Sequence, residues 1–448
     1  MGSSMKEKKA NIFTLGIPIF IQLLLFNLLS SVDTIMISDF NENFVISINN
    51  ASSITSMLNV LLTICSTGVG IVIAQYLGAK KKEDAKKSFG NGLIFNLSLG
   101  LILMTILLIF QKPFLQMIQC PKAYINDAMS YVTIIAFGIP FFASYSVIAA
   151  ELRSHKKTIF ITLVAVISNL INVLLNYILI YGKMGFPSLG IKGAAIATLT
   201  SNILTFVLSL VIAPIIIKEN IYKFSFSFTH LKQILKIGIP SALESFCYTI
   251  SGLFVTAAVN KLDKYEILAR TYINMIMMYI YQFSVAFGQA NSILVGYDIG
   301  AKKYQSAKKR TYQSYLLCFP ILLCLLIILN ITGHDIIHLI VHKIDNHDKI
   351  IDFAVIVLPW MFVYETGRCI NLIFINSLKA TGDVVFPLIG AIICMFLFSS
   401  FGSWFLGIYL KLGLLGIFLA QALDECVRAV MMIVRWQSNH WMNKSIIK

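Results

Sequence analysis

The sequence predicts an all-α membrane protein: twelve transmembrane helices in two six-helix bundles, related by a parallel internal repeat. Three observations carry this expectation. Of 448 residues, 57% are apolar and only 13% charged, against roughly 45–50% and about 25% in soluble domains. Mean hydropathy is +0.80. Twelve apolar stretches reach spanning length, and the chain repeats itself at a nearly fixed offset. A disordered chain, a fibrous one and an ordinary cytosolic enzyme are excluded by this composition.

A membrane span needs about 20 predominantly apolar residues. The candidates run over about 12–38, 52–77, 90–110, 131–153, 159–181, 190–217, 235–259, 270–297, 313–333, 351–379, 385–410 and 412–436. Glycine turns and lysine clusters separate them, as in Gly78-Ala79-Lys80-Lys81-Lys82, Gly182-Lys183 and Gly300-Ala301-Lys302-Lys303. The stretches are too long for barrel strands and lack their alternation. With basic residues at the span ends counted with the adjoining connections, the termini and the even-numbered connections hold 24 of the 36 Lys and Arg, and the odd-numbered connections hold 10. That asymmetry predicts a multi-pass protein of the cell membrane with both termini cytoplasmic. An even number of spans agrees. No cleavable signal peptide is expected, because Lys6, Lys8 and Lys9 lead into a run of spanning length without a small-residue cleavage site. Gly2-Ser3-Ser4 before Met5 reads as an added leader.

The repeat is explicit. Ile17-Pro18 returns as Ile239-Pro240, 222 positions later. Gly78-Ala79-Lys80-Lys81 with Ala85-Lys86-Lys87 returns as Gly300-Ala301-Lys302-Lys303 with Ala307-Lys308-Lys309, again at 222. Gly190, Gly193 and Ala197 return as Gly413, Gly416 and Ala420, at 223. Such agreement indicates duplication. Each copy holds six spans, so the copies share one orientation. The expected organisation is an N-lobe over 1–217, a cytoplasmic linker over 218–234 and a C-lobe over 235–448. Two equal bundles suggest alternating access by rocking around a substrate.

Net charge is +15. The basic residues cluster between apolar runs, which assigns them to topology and anionic headgroups rather than to nucleic acid. The lipid bilayer is thus an expected partner. The eight cysteines form no CxxC and no Cys/His cluster, so free thiols and no metal site are expected. No HExxH, GxSxG or P-loop is present, so neither catalytic residues nor ATP-driven transport is expected. His334, His338, His342 and His347 fall in the outer connection after span 9 and read as solvated loop residues.

Ionisable residues inside spans are costly, at roughly 2.5–3.5 kcal/mol on insertion scales, and are functional candidates by default. Asp33 lies 16 residues past Ile17, roughly 24 Å from the cytoplasmic edge. Asn172 and Asn176, spaced i, i+4 on one face, reach roughly 20–25 Å on span 5. Thr198 descends to a similar depth on span 6. One acid, two amides and a hydroxyl at one depth can hold a proton or ligate a small hard cation. The alternative is a merely structural hydrogen bond between helices. Glu244 lies roughly 12 Å into span 7, with Glu365 at a similar depth on span 10. Glu365–Arg368 reads as a structural ion pair, and Asp424, Glu425 and Arg428 as a structural cluster on span 12. Glu151, Asp298 and Asp383 read as interfacial. Span 8 is rich in Met and aromatic residues, which suit varied and cationic ligands. From it Tyr279, Gln282 and Phe283 are taken as candidate substrate contacts, with ordinary helix packing as the alternative.

Ser31-Val32-Asp33-Thr34-Ile35-Met36, Gly78-Ala79-Lys80, the stretch Asn172–Thr198 (including Gly185-Phe186-Pro187 and Gly190-Ile191-Lys192-Gly193) and Lys379-Ala380-Thr381-Gly382-Asp383 resemble the multidrug and toxic compound extrusion (MATE) transporters. The resemblance covers nearly the whole chain. It implies a twelve-helix exporter of cationic amphipathic compounds, driven by exchange for protons or sodium. It further implies that Asp33, Asn172, Asn176 and Thr198 form an N-lobe cation or proton site. At Asn176 some members carry an acid; the amide keeps a carbonyl ligand and removes a negative charge. On span 7, members often carry a carboxylate, which implies a substrate role for Glu244.

The resulting expectation is an antiporter: not an enzyme, without cofactor beyond H+ or Na+ as coupling ion, binding small organic cations and acting as a monomer. The alternative weighed is a flippase for a lipid-linked saccharide from a related branch. Anionic headgroups would call for several intramembrane cations, yet away from the span ends only Arg368 and Arg428 lie within spans, each with an acid within a turn.

Overall fold

A computed structural model describes residues 11–118, 120–342 and 347–447. Lys6, Lys8 and Lys9 and the Gly2-Ser3-Ser4 leader lie outside the described residues. Each of the twelve apolar stretches falls on helix. In order, these are α1 (Ile12–Phe40), α2 (Glu42–Gly78), α3 (Lys82–Met117), the pair α4 (Ile125–Ala136) and α5 (Ile139–Ser154), α6 (Thr158–Tyr181) and α7 (Ile191–Ile217). Then come α8 (Phe228–Val259), α9 (Lys264–Gly300), α10 (Tyr304–Val341), the pair α11 (His347–Val357) and α12 (Met361–Thr381), α13 (Val385–Cys394) with a π-helical continuation to Tyr409, and α14 (Gly413–Gln437). Among the described residues no strand occurs. This is what a bilayer demands, since a helix satisfies its own backbone polar groups. Among the described residues nine helical segments, or ten with the bent pair α4–α5, are long and apolar enough to cross a membrane by length and composition alone. The two other segments are α9, which carries Asn274 and Gln282, and α14, which carries Asp424, Glu425 and Arg428; these polar residues lower their hydropathy.

The repeat extends to irregularities that hydropathy cannot show. The fourth span of each half is broken: α4 and α5 are bent by 47° at Phe137-Gly138, and a 3₁₀ turn over Leu358–Trp360 interrupts α11 and α12. Lys80 and Lys302, 222 apart, both take left-handed backbone conformations, with φ of 61° and 57°. Gly190 and Gly413 do likewise at 52° and 58°.

Two compact units result, Ile21–Ala242 and Met1–Phe20 with Leu243–Lys448. The division falls inside α1 and α8, two residues after Pro18 and Pro240. In the first unit the start of α8 packs so closely on α2 that a Cβ on Gly68 would stand 2.2 Å from the Ile234 carbonyl oxygen. One on Gly238 would stand 2.0 Å from that of Ile64. Backbone cannot yield as a side chain can, so Gly238→Ala should cost about 1–3 kcal/mol and lower the melting temperature in detergent. Gly252→Ala, with nothing within 4 Å of the added carbon, should be neutral or slightly stabilising. In the second unit the start of α1 rests on α9, with Phe13–Phe287 and Phe20–Phe283 ring centroids each 5.7 Å apart.

Candidate functional site

The polar site of the unit Ile21–Ala242 is built by residues of four helices, α1, α6, α7 and α4. Asn172 and Asn176 are one turn apart on α6, and both are buried. The Asn176 amide Nδ2 donates to Asp33 Oδ1 on α1 at 2.6 Å and to Asn172 Oδ1 at 3.0 Å. Asn176 Oδ1 is buried and accepts no hydrogen bond. The structure thus joins Asp33, Asn172 and Asn176 directly. Thr198 on α7 enters through Tyr131 of α4, whose hydroxyl meets Thr198 and whose ring lies in the field of Asp33. Tyr131 is 8% exposed. Sequence reasoning missed it because a tyrosine at the outer end of a span reads as an interfacial aromatic. A carboxylate beside two amides, one of them with an unsatisfied oxygen, can bind a proton or a small hard cation.

In the unit of Met1–Phe20 with Leu243–Lys448, Glu244 does not stand as a free carboxylate. Its Oε2 lies 2.9 Å from Lys379 Nζ on α12, with side-chain exposures of 14% and 12%. Tyr279 and Gln282 on α9 are half-buried. Phe283 is 6% exposed, its ring centroid 4.4 Å from that of Phe287, so it is a packing residue here. A 3.6-residue period puts Phe283 about 100° round the helix from Gln282; sequence alone left open which of the two faces turns inward.

Between α12 and α14 lies a fully buried charge cluster. Arg428 donates two hydrogen bonds to Asp424, at 2.9 and 2.8 Å, and approaches Glu425 at 2.9 Å. Arg368 donates to Glu365 at 2.6 Å and its guanidinium lies 5.0 Å from the Tyr281 ring centre. Asn371 donates to Glu425 at 2.9 Å. The residues read from sequence as structural pairs are therefore one network. The three acids read as interfacial are buried against neighbouring helices. Asp298 binds Arg310 at 2.6 Å and Asp383 binds Arg435 at 2.7 Å. Glu151 is 0% exposed and has His155 at 3.4 Å. Each sits near a helix end, where interhelical packing rather than water surrounds it.

The MatE family model matches residues 18–178 and again 240–405, one match per repeat. The chain belongs to the MatE family. Relatives of this MatE-family protein include the "Uncharacterized transporter YisQ" of Bacillus subtilis (strain 168), 30% identical over 98% of this chain and 96% of the relative. The "Probable multidrug resistance protein NorM" of Bacillus anthracis is 24% identical over 97% and 96%. Similar solved structures include an outward-facing multidrug resistance MATE family transporter of the MOP superfamily, with a TM-score of 0.86 and 20% identity over 98% of this chain and 96% of that one. A MOP superfamily transporter from Pyrococcus furiosus gives a TM-score of 0.86 at 21% identity, covering 96% and 95%. The MatE-family chain is accordingly a multi-pass membrane transporter with the family's fold, and its relatives are transporters.

Proposed function

We propose that this protein exports cationic amphipathic compounds by alternating access in the cell membrane, as a monomer with both termini cytoplasmic, in exchange for protons or sodium bound at Asp33. One observation carries the reading: the Asp33–Asn176–Asn172 chain of hydrogen bonds, which leaves a buried oxygen of Asn176 without a partner. An intramembrane carboxylate is retained against its insertion cost where it handles charge. The amides tolerate both states of Asp33, since Asn can donate to a carboxylate or accept from a carboxylic acid. Pro18, inside α1, deletes a backbone hydrogen bond and offers a bending point below Asp33. The multidrug relatives support the substrate class. Arg368 and Arg428 are both held by carboxylates, so neither is available to a saccharide-lipid phosphate.

Transport of a cationic dye into proteoliposomes under separately imposed pH and sodium gradients tests the reading. Uptake driven by one of them is expected; uptake indifferent to both would overturn ion coupling. Orientation is tested by a membrane-impermeant thiol label on a background without native cysteines. Cysteine at Met184 or Asp348 should be labelled from outside intact cells, and cysteine at Lys302 only after lysis. The reverse pattern would invert the topology.

A further inference from the structure

Six acids of α8, α9, α12 and α14 and their connections sit in buried ion pairs, and the pairs differ in kind. Glu365, Asp424, Glu425, Asp298 and Asp383 are all held by arginine. Arg–carboxylate pairs are planar, hydrogen-bonded and geometrically specific. Glu244, the sixth, is held by a lysine. The contact is 2.9 Å, yet Glu244 Oε2 has no aligned hydrogen bond, so charge alone holds the pair. Lysine is a compact ammonium on a flexible four-carbon stem that can turn away without breaking a fork of bonds. Among these acids, Glu244 is the one whose counter-ion is exchangeable. Both side chains keep a small accessible fraction, 14% and 12%, so the pair can be reached.

We propose that Lys379 is a tethered surrogate for the substrate cation: it neutralises Glu244 when no substrate is bound, and an organic cation must displace it. This inference rests on the reading that cationic compounds are the substrates. It makes Lys379 a specificity-determining residue. A single positive group on a ligand cannot simply add to the site; it competes with a cation that is always present. Weakly basic ligands, being largely uncharged, do not displace the Lys379 amine from Glu244 and are excluded. Release of substrate is assisted, since Lys379 returns to Glu244 and the carboxylate is never left uncompensated in a low-dielectric site.

The test uses the full-length protein in detergent, with equilibrium binding of tetraphenylphosphonium as the cationic probe and a neutral dye of similar size as control. Lys379→Met removes the competitor and should tighten tetraphenylphosphonium by about tenfold or more. Lys379→Arg replaces it with a fork that clamps Glu244, and should weaken tetraphenylphosphonium by a similar factor. Neutral-dye affinity should stay put in both. Opposite shifts from two substitutions are not the signature of a damaged fold. If Lys379→Met leaves Glu244 uncompensated and the protein does not fold, the Lys379→Arg arm decides alone. Unchanged tetraphenylphosphonium affinity in the variants, beside normal wild-type binding, overturns the surrogate role and leaves the efflux reading standing. Equal shifts for the neutral dye also overturn it, by showing a packing role. No wild-type binding of any organic cation would sink the efflux reading itself, and this inference with it.

Discussion

Asp33→Asn should yield a folded protein that binds drug within a few-fold of wild type and exports none of it against a gradient. Asn reproduces the shape of a permanently neutral Asp33. It keeps a carbonyl oxygen where Asn176 Nδ2 donates at 2.6 Å, so the helix contact between α1 and α6 survives. What disappears is the ability to gain and lose a charge. A coupling ion then has nothing to neutralise, and its gradient no longer biases the conformational equilibrium, because a ligand shifts only states that it binds differently. The paired measurement is drug affinity in detergent and dye uptake into inverted vesicles under an imposed gradient. Uptake should fall to the background of gradient-free vesicles. Near wild-type pumping would remove Asp33 as the coupling residue and make Glu244 the leading alternative. The expected effect of Tyr131→Phe is smaller. It deletes a hydroxyl that touches Thr198, so transport should slow and shift its pH profile rather than stop.

Removing Arg428 should be the most destabilising single change in the chain. Arg428 is 3% exposed and compensates two carboxylates, Asp424 and Glu425. Arg428→Met leaves Asp424 buried without its guanidinium, and Glu425 with only Arg368 at 3.5 Å and the Asn371 amide. Breaking a buried ion pair by deleting one partner costs about 3–5 kcal/mol, because the surviving charge has no compensation. Thermal unfolding in detergent should show a large fall in midpoint, and expression should drop. The contrast is Glu83→Gln, where the carboxylate is 62% exposed beside Lys223 at 2.6 Å. Exposed pairs contribute roughly 0–1 kcal/mol, so that variant should melt close to wild type. If Arg428→Met melts like Glu83→Gln, the cluster does not hold α12 to α14.

Much of this protein is written locally and was therefore readable. Helix in a bilayer follows from the backbone's need to satisfy itself, so apolar runs of spanning length determined the all-α fold without knowledge of any contact. Duplication is a one-dimensional property, and Pro18 with Pro240 or Lys80 with Lys302 disclosed it directly. The Asp33 site was legible because depth is countable at a fixed rise per residue: helices of known direction bring residues of equal depth to one level, and polar residues in apolar spans have few reasons to be there.

What depth cannot supply is rotation about each helix axis, and tertiary packing alone decides it. Phe283 and Gln282 are neighbours in sequence, yet Phe283 turned into the aromatic packing with Phe20 and Phe287. Tyr131 opens its span in the sequence, and only the packing of α4 turned it toward Thr198. Glu151, Asp298 and Asp383 end their helices as if for water, and adjoining helices buried them. The exchange of helix starts, with Met1–Phe20 in one unit and the residues up to Ala242 in the other, follows from where α1 and α8 find their neighbours. The pairing of Glu244 is the sharpest case. Lys379 lies 135 positions away in the chain, in a stretch that reads as an ordinary cytoplasmic helix end. Ion pairing depends on distance through space, and only the approach of α12 to α8 brought that ammonium to 2.9 Å.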